Sequence, residues 1–228
     1  RGAVFGDALA SLLNEVGYRV IREYYINDAG SQIEKLVETS LLRYDECNGK
    51  IIKEIPEGLY PGEYLKEVGK VLLKKYGKNL KQNSKEDIFD LVRKVSLEVI
   101  MKMIKEDLFK LGIEMDVYTS EKNIISGNLL TDILTILDGK NLTYYGTLDP
   151  PKGTDPKNWK KRKQFLFKST NYGDDSDRAL KKSDGNWTYF ATDMAYHLDK
   201  INRTKGNLIN VLGADHIGYI TRISAAVS

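Results

Sequence analysis

Tyr18-Arg19-Val20-Ile21-Arg22-Glu23-Tyr24-Tyr25-Ile26-Asn27-Asp28-Ala29-Gly30-Ser31 is the stretch whose reading decides the fold class. Residues 18–26 are dense in β-branched and aromatic side chains, which fit a pleated, half-buried surface and predict a strand. Asn27 to Ser31 are turn formers. Beyond them Ile33, Leu36, Val37 and Leu41 recur at helical spacing. On the other side, Val4, Ala8, Leu12 and Val16, with Leu9 and Leu13, share one face of a helix over 3–16 that Gly17 closes. Helix, strand, turn and helix in that order are half of a nucleotide-binding α/β sheet, so the expected class is α/β with a Rossmann-like core.

Residues 45–63 are rich in turn signals (Asn48-Gly49, Pro56, Gly58, Pro61-Gly62), and helical patterns follow at 63–76 and 85–111. They predict a helical excursion at about 46–111. Residues 112–118 alternate apolar and polar as a strand does, and 128–137 return to helical spacing before Asp138-Gly139. Between Asn141 and Trp187 the chain carries short strand-like runs, Pro150-Pro151, a basic run and the polar turn Tyr172-Gly173-Asp174-Asp175-Ser176-Asp177, the pattern of a small β-rich connective insertion. A strand-like run at 187–190, a helix through Ala195, Leu198 and Ile201, a strand at 207–212 and a helix from Ile217 complete the pattern. The expected organisation is a first part of the Rossmann-like core at 1–139, the insertion at 140–186 and a second part of that core at 187–228. No internal repeat is visible.

The 228 residues, 41% hydrophobic and 29% charged, suffice for a substantial core. No apolar run reaches the eighteen or so residues a membrane span needs, and Arg1-Gly2-Ala3-Val4-Phe5 lacks the layout of an export signal. The single cysteine, Cys47, cannot form an internal disulfide, and with only His197 and His216 beside it no zinc cluster of standard spacing arises. A reducing cytoplasm fits. With 35 basic and 32 acidic side chains the net charge of +3 identifies no partner, so nucleic-acid binding has to rest on local clustering.

Leu208-Ile209-Asn210-Val211-Leu212-Gly213-Ala214-Asp215-His216 ends an apolar run in glycine and then presents a carboxylate and an imidazole before a helix. Ligands of open α/β sheets bind at such carboxyl ends. Glycine admits a nucleoside close to the backbone, Asp215 can accept both ribose hydroxyls, and His216 can donate to a base or a carbonyl. A capping aspartate beside a surface histidine fits the same letters. Tyr189 and Asp193, four residues apart, share a helix face on which a phenol and a carboxylate can grip a cation, and capping and packing fit these two as well. Asn27 and Asp28 either line the same cleft or form a generic Asn-Asp-x-Gly turn. Lys157-Asn158-Trp159-Lys160-Lys161-Arg162-Lys163-Gln164-Phe165 interleaves cations with aromatics as single-stranded RNA contacts do, or is a solvated charge run.

Asp184-Gly185-Asn186-Trp187-Thr188-Tyr189-Phe190-Ala191-Thr192-Asp193-Met194-Ala195-Tyr196-His197 resembles the wall of the arginine pocket in arginyl-tRNA synthetases. The resemblance extends to Arg1 through Leu9, Tyr24 through Gly30, Gln164 through Thr170 and Gly213 through His216, and so to essentially the whole chain. It implies that Tyr189 and Asp193 hold a guanidinium. It also implies that Gly213 and Asp215 bind the adenosine ribose of ATP and that His216 stands where the amino-acid and nucleotide sites meet. Arginine, ATP with Mg2+ and the tRNA for arginine are the implied substrates, in a cytoplasmic, monomeric parent enzyme.

The same resemblance places a His-x-Gly-His signature ahead of Arg1 and a lysine-rich KMSKS-like loop beyond Ser228, together with further domains. This stretch is therefore expected to be an internal fragment that binds better than it catalyses. Class I ligases for other amino acids fit less well: a cysteine enzyme wants zinc, and a glutamate enzyme wants arginine where Asp193 stands. An RNA-binding paralogue without ligase activity is the alternative from another class.

Overall fold

A computed structural model describes residues 1–82, 84–149 and 162–228, which fall into two compact units, Ala3–Ser120 and Glu121–Ser228.

In the first unit, helix α1 (Gly2–Glu15) precedes strand β1 (Glu23–Ile26), and helices α2 (Ser31–Cys47), α3 (Leu65–Tyr76) and α4 (Lys85–Lys110) separate it from strand β2 (Val117–Ser120). The two strands pair in parallel, Glu23 opposite Val117 through Ile26 opposite Ser120, so the whole helical excursion is their crossover connection. Arg22 anchors the entry to β1: its Nε meets Asp7 Oδ1 at 2.8 Å and its backbone N–H donates to Asp116 Oδ2 at 2.7 Å. Gly30, at φ 79°, takes a left-handed conformation before α2 that a side chain would strain.

The core of this unit lies among α2, α3 and α4, where Tyr44, Leu65, Val68, Leu72, Val92 and Val95 are buried. Two buried hydroxyls satisfy each other there, Ser96 donating to Ser40 at 2.9 Å, and Tyr44 donates to the Gly77 carbonyl at 2.8 Å. Ser84 caps α4 by accepting the Asp87 N–H.

The second unit holds helices α5 (Glu121–Ser126) and α6 (Leu129–Gly139) and an antiparallel sheet of β3 (Thr143–Gly146), β4 (Gln164–Phe167) and β5 (Arg178–Ala179). Helices α7 (Tyr189–Thr204) and α8 (Ile220–Val227) follow. Tyr145 pairs with Phe165 and Leu166 with Ala179, the β-rich character read at 140–186. Asp174 fastens the turn before β5: it accepts from Ser169 Oγ at 2.6 Å and takes a two-pronged Arg178 guanidinium at 2.6 and 2.7 Å. That pairing holds its carboxyl well below the usual range. Tyr144 donates to Asp177 at 2.6 Å, which pushes the phenol up to about 12.

Several sequence expectations are corrected. Only Glu23–Ile26 of the run 18–26 forms a ladder, and the strand read at 112–118 pairs as Val117–Ser120 instead. Residues 207–212 form no strand among the described residues, and Ile209, Val211 and Leu212 are exposed. Apolar alternation makes a strand only where a neighbour accepts the ladder bonds, and the periodicity cannot report that neighbour. At 187–190, Trp187 makes only an isolated bridge to Lys181, because Thr188 already caps α7. The helix expected from Ile217 begins at Ile220, after a 3-10 turn over Ala214–Tyr219.

Candidate active site

Thr188 fixes where α7 begins. Its hydroxyl accepts the Ala191 N–H at 3.3 Å and donates to the Ala179 carbonyl at 2.8 Å, tying the helix to β5. Tyr189 is thus the first helical residue and Asp193 lies one turn on. Phe190, Ala191, Met194 and Ala195 around it are buried, so the half-buried Asp193 stands at the margin of the core.

The Asp193 carboxylate is half-buried, and the Tyr219 hydroxyl donates to its Oδ2. Burial pushes its pKa upward, while the Tyr219 bond and the charges of Lys200 and His216 pull it back. Tyr189, by contrast, is 62% exposed, with the Lys182 ammonium 5.1 Å from its ring centre. The phenol that reaches Asp193 therefore comes from the end of the 3-10 turn and not from the i, i+4 neighbour.

Beneath Asp193 lies a polar stripe. His197 Nδ1 is 2.8 Å from the Asp193 backbone carbonyl, which can only accept, so this nitrogen carries the proton. Its Nε2 then accepts from Lys200 Nζ at 3.3 Å and from Asn210 Nδ2 at 3.1 Å. Lys200 also donates to Asn210 Oδ1 at 2.9 Å and lies 4.3 Å from the Tyr196 ring centre. Burial pushes the His197 pKa down, and the Lys200 charge adds to that. These bonds pin Asn210, and with it the segment leading to Gly213, onto α7.

Gly213 precedes the 3-10 turn at φ −66°, a conformation open to any residue. His216 is exposed in that turn, its N–H donating to the Gly213 carbonyl at 3.0 Å. The backbone of Asp215 belongs to the same turn, while its side chain lies outside what is described. The structure thus gathers Asp193, His216 and Tyr219 in the second unit.

Asn27 and Asp28 belong to the first unit, at the carboxyl end of β1. Asp28 accepts from Ser120 Oγ at 2.7 Å, joining the ends of β1 and β2. Asn27 lines a pocket of about 160 Å³ with Gln32, Ile33, Leu36, Tyr60, Tyr64 and Ile100. Of the basic run, only Arg162 to Phe165 are among the described residues. Those residues contain no group of three His, Cys, Asp or Glu placed to hold a metal ion.

Sequence reasoning missed Tyr219, His197, Lys200 and Asn210. For two of them a signal existed: His197 and Lys200 fall at i+4 and i+7 from Asp193, a polar stripe along one helix. Tyr219 gave none, since its partner is 26 positions away.

The family model for "tRNA synthetases class I (R), catalytic domain" matches residues 1–225. The chain belongs to the class I arginyl-tRNA synthetases. Among members of this synthetase family it is 56% identical to an arginine–tRNA ligase of Ehrlichia chaffeensis and 53% identical to that of Parvibaculum lavamentivorans, in both cases over its whole length. It spans 39% of the length of each. A solved Campylobacter jejuni structure that carries the provisional name arginyl tRNA synthetase superposes with a TM-score of 0.80 at 35% identity, covering 99% of this chain and 46% of that one. In this synthetase-family chain the stripe from Asp193 to Lys200 is tied to the segment from Asn210 to Tyr219 by the Tyr219–Asp193, Lys200–Asn210 and Asn210–His197 hydrogen bonds.

Proposed function

We propose that this chain forms the arginine- and adenosine-binding part of an arginine–tRNA ligase, whose whole reaction joins arginine and ATP into arginyl adenylate and then charges tRNA. The observation that carries the reading is the half-buried Asp193 carboxylate, held by Tyr219 at the margin of the core. A carboxylate whose burial already costs free energy gains most from a cation that replaces its lost water, and a guanidinium supplies two parallel N–H donors. Citrulline has the same length without the charge and leaves the carboxylate uncompensated, so selectivity for arginine follows.

Tyr189, beside Asp193 at the start of α7, closes the guanidinium site in this reading. Gly213 and Asp215 receive the adenosine ribose of ATP, with His216 at the junction of amino acid and nucleotide. Asn27 and Asp28 take ligand-facing places at the carboxyl end of a parallel strand, where Rossmann-like sheets receive substrates. Mg2+ arrives with the ATP phosphates, tRNA presents its acceptor end, and the parent enzyme works as a cytoplasmic monomer. No described helix is long and apolar enough to cross a membrane.

A thermal-shift series tests the proposal, with arginine, citrulline and lysine each alone and alongside a non-hydrolysable ATP analogue. At a hundredfold excess over Kd a ligand adds about 2.7 kcal/mol, roughly 5 to 10 °C for a chain of this size. Arginine is expected to raise Tm and citrulline to leave it unchanged. Equal shifts for the two would contradict the assignment.

A further inference from the structure

We propose that Tyr219 sets the Asp193 carboxylate for guanidinium recognition, a positioning residue for arginine specificity; the inference rests on the arginine pocket proposed above. An aspartate side chain rotates freely about its Cβ–Cγ bond and offers about four lone-pair directions. The Tyr219 hydroxyl occupies one of those on Oδ2 and halts the rotation. Oδ1 takes no hydrogen bond from the described residues, so the N–H fork of a guanidinium meets one open oxygen and the remaining lone pair of the other.

The phenol is itself held. Tyr219 closes the 3-10 turn that follows Gly213, and the guanidinium of Arg222, one helical turn along, lies 5.8 Å from the centre of its ring. A cation over the ring fixes its plane and strengthens its O–H as a donor. Arg222 Nε is buried without a hydrogen-bond partner, so this guanidinium is not spent on a competing side chain through that nitrogen. Tyr189, the other phenol near Asp193, is largely exposed and makes no described hydrogen bond to the carboxylate. The orienting role therefore falls to Tyr219.

The test compares this chain with its Y219F and D193N variants, measuring arginine and citrulline affinity by titration calorimetry across about pH 5 to 8. Phenylalanine keeps the ring under Arg222 and removes only the O–H. Arginine binding by Y219F is expected to weaken about five- to tenfold at neutral pH, narrowing the gap to citrulline. The groups facing Asp193 are Tyr219, Lys200 and His216, and of these Tyr219 exerts the largest downward pull on its carboxyl. Its loss should therefore move the acid limb of arginine binding to higher pH, a change that a purely structural role would not produce.

Wild-type affinity and an unmoved acid limb in Y219F, with D193N still losing arginine, would overturn the inference and leave the pocket standing. Unchanged arginine binding in D193N would instead remove the pocket reading itself. Should Y219F not fold by circular dichroism, carbon-labelled tyrosine in the wild-type chain reads the same bond. Arginine must then shift the Tyr219 ring-carbon resonance next to the hydroxyl, and an unshifted resonance overturns the inference.

Discussion

Asp193 trades stability for recognition. Its folded pKa is raised by burial, so the fold prefers the protonated form: stability is fully present below the unfolded value, about 3.9, and is lost as pH rises through the folded one. At neutral pH D193N should therefore hold or raise the Tm of the chain, while arginine affinity falls at least about tenfold, the worth of a charge-assisted hydrogen bond. A melt and a titration on the same sample check both halves. His197 has the opposite sign. Its pKa is depressed, so its neutral form supports the fold above about 6.5 and that support is lost as pH falls through the folded value. The wild-type chain should melt at lower temperature at pH 5.5 than at pH 7.5, and H197Q should flatten that difference. At this scale Asp193 was legible because a phenol, a carboxylate and a family stretch coincided. Tyr219 was not legible, because a contact between residues far apart in sequence leaves no periodicity.

Two elements carry sharp tests. Helix α3 runs so close to α2 that a Cβ on Gly69 would sit 2.5 Å from the Arg43 carbonyl oxygen. Alanine favours a helix interior by about 1 kcal/mol over glycine. Backbone carbonyls cannot step aside, so overpacking decides the sign: G69A should lose about 1 to 3 kcal/mol in a urea melt. A gain would mean that the two helices can part at little cost. At the turn before β5, the Asp174 side chain is 1% exposed and that of Arg178 18%. D174N leaves that guanidinium only the exposed Asp175 carboxylate and should cost about 1 to 3 kcal/mol. Because the Asp174 pKa is lowered, its contribution is present above the ordinary carboxylate range and lost as pH falls below that range through the folded value. The wild-type and D174N melting curves should accordingly converge toward acid pH.

Across the whole molecule, helices were more legible than strands. The excursion helices came within a few residues of α3 and α4, because a buried stripe at 3.6-residue spacing is a property of one segment. Strands are defined by partners, and so the run at 207–212 looked like a strand yet is held by side chains, Asn210 to His197 and Lys200, with no described ladder. The central claim, a guanidinium pocket centred on Asp193, is tested most directly by titrating arginine and citrulline into this chain and its D193N variant at neutral pH. The account predicts saturable heat for arginine with the wild-type chain, at least about tenfold weaker binding of citrulline, and a comparable loss of arginine binding in D193N. Citrulline binding as tightly as arginine, or D193N retaining full arginine affinity, would contradict it.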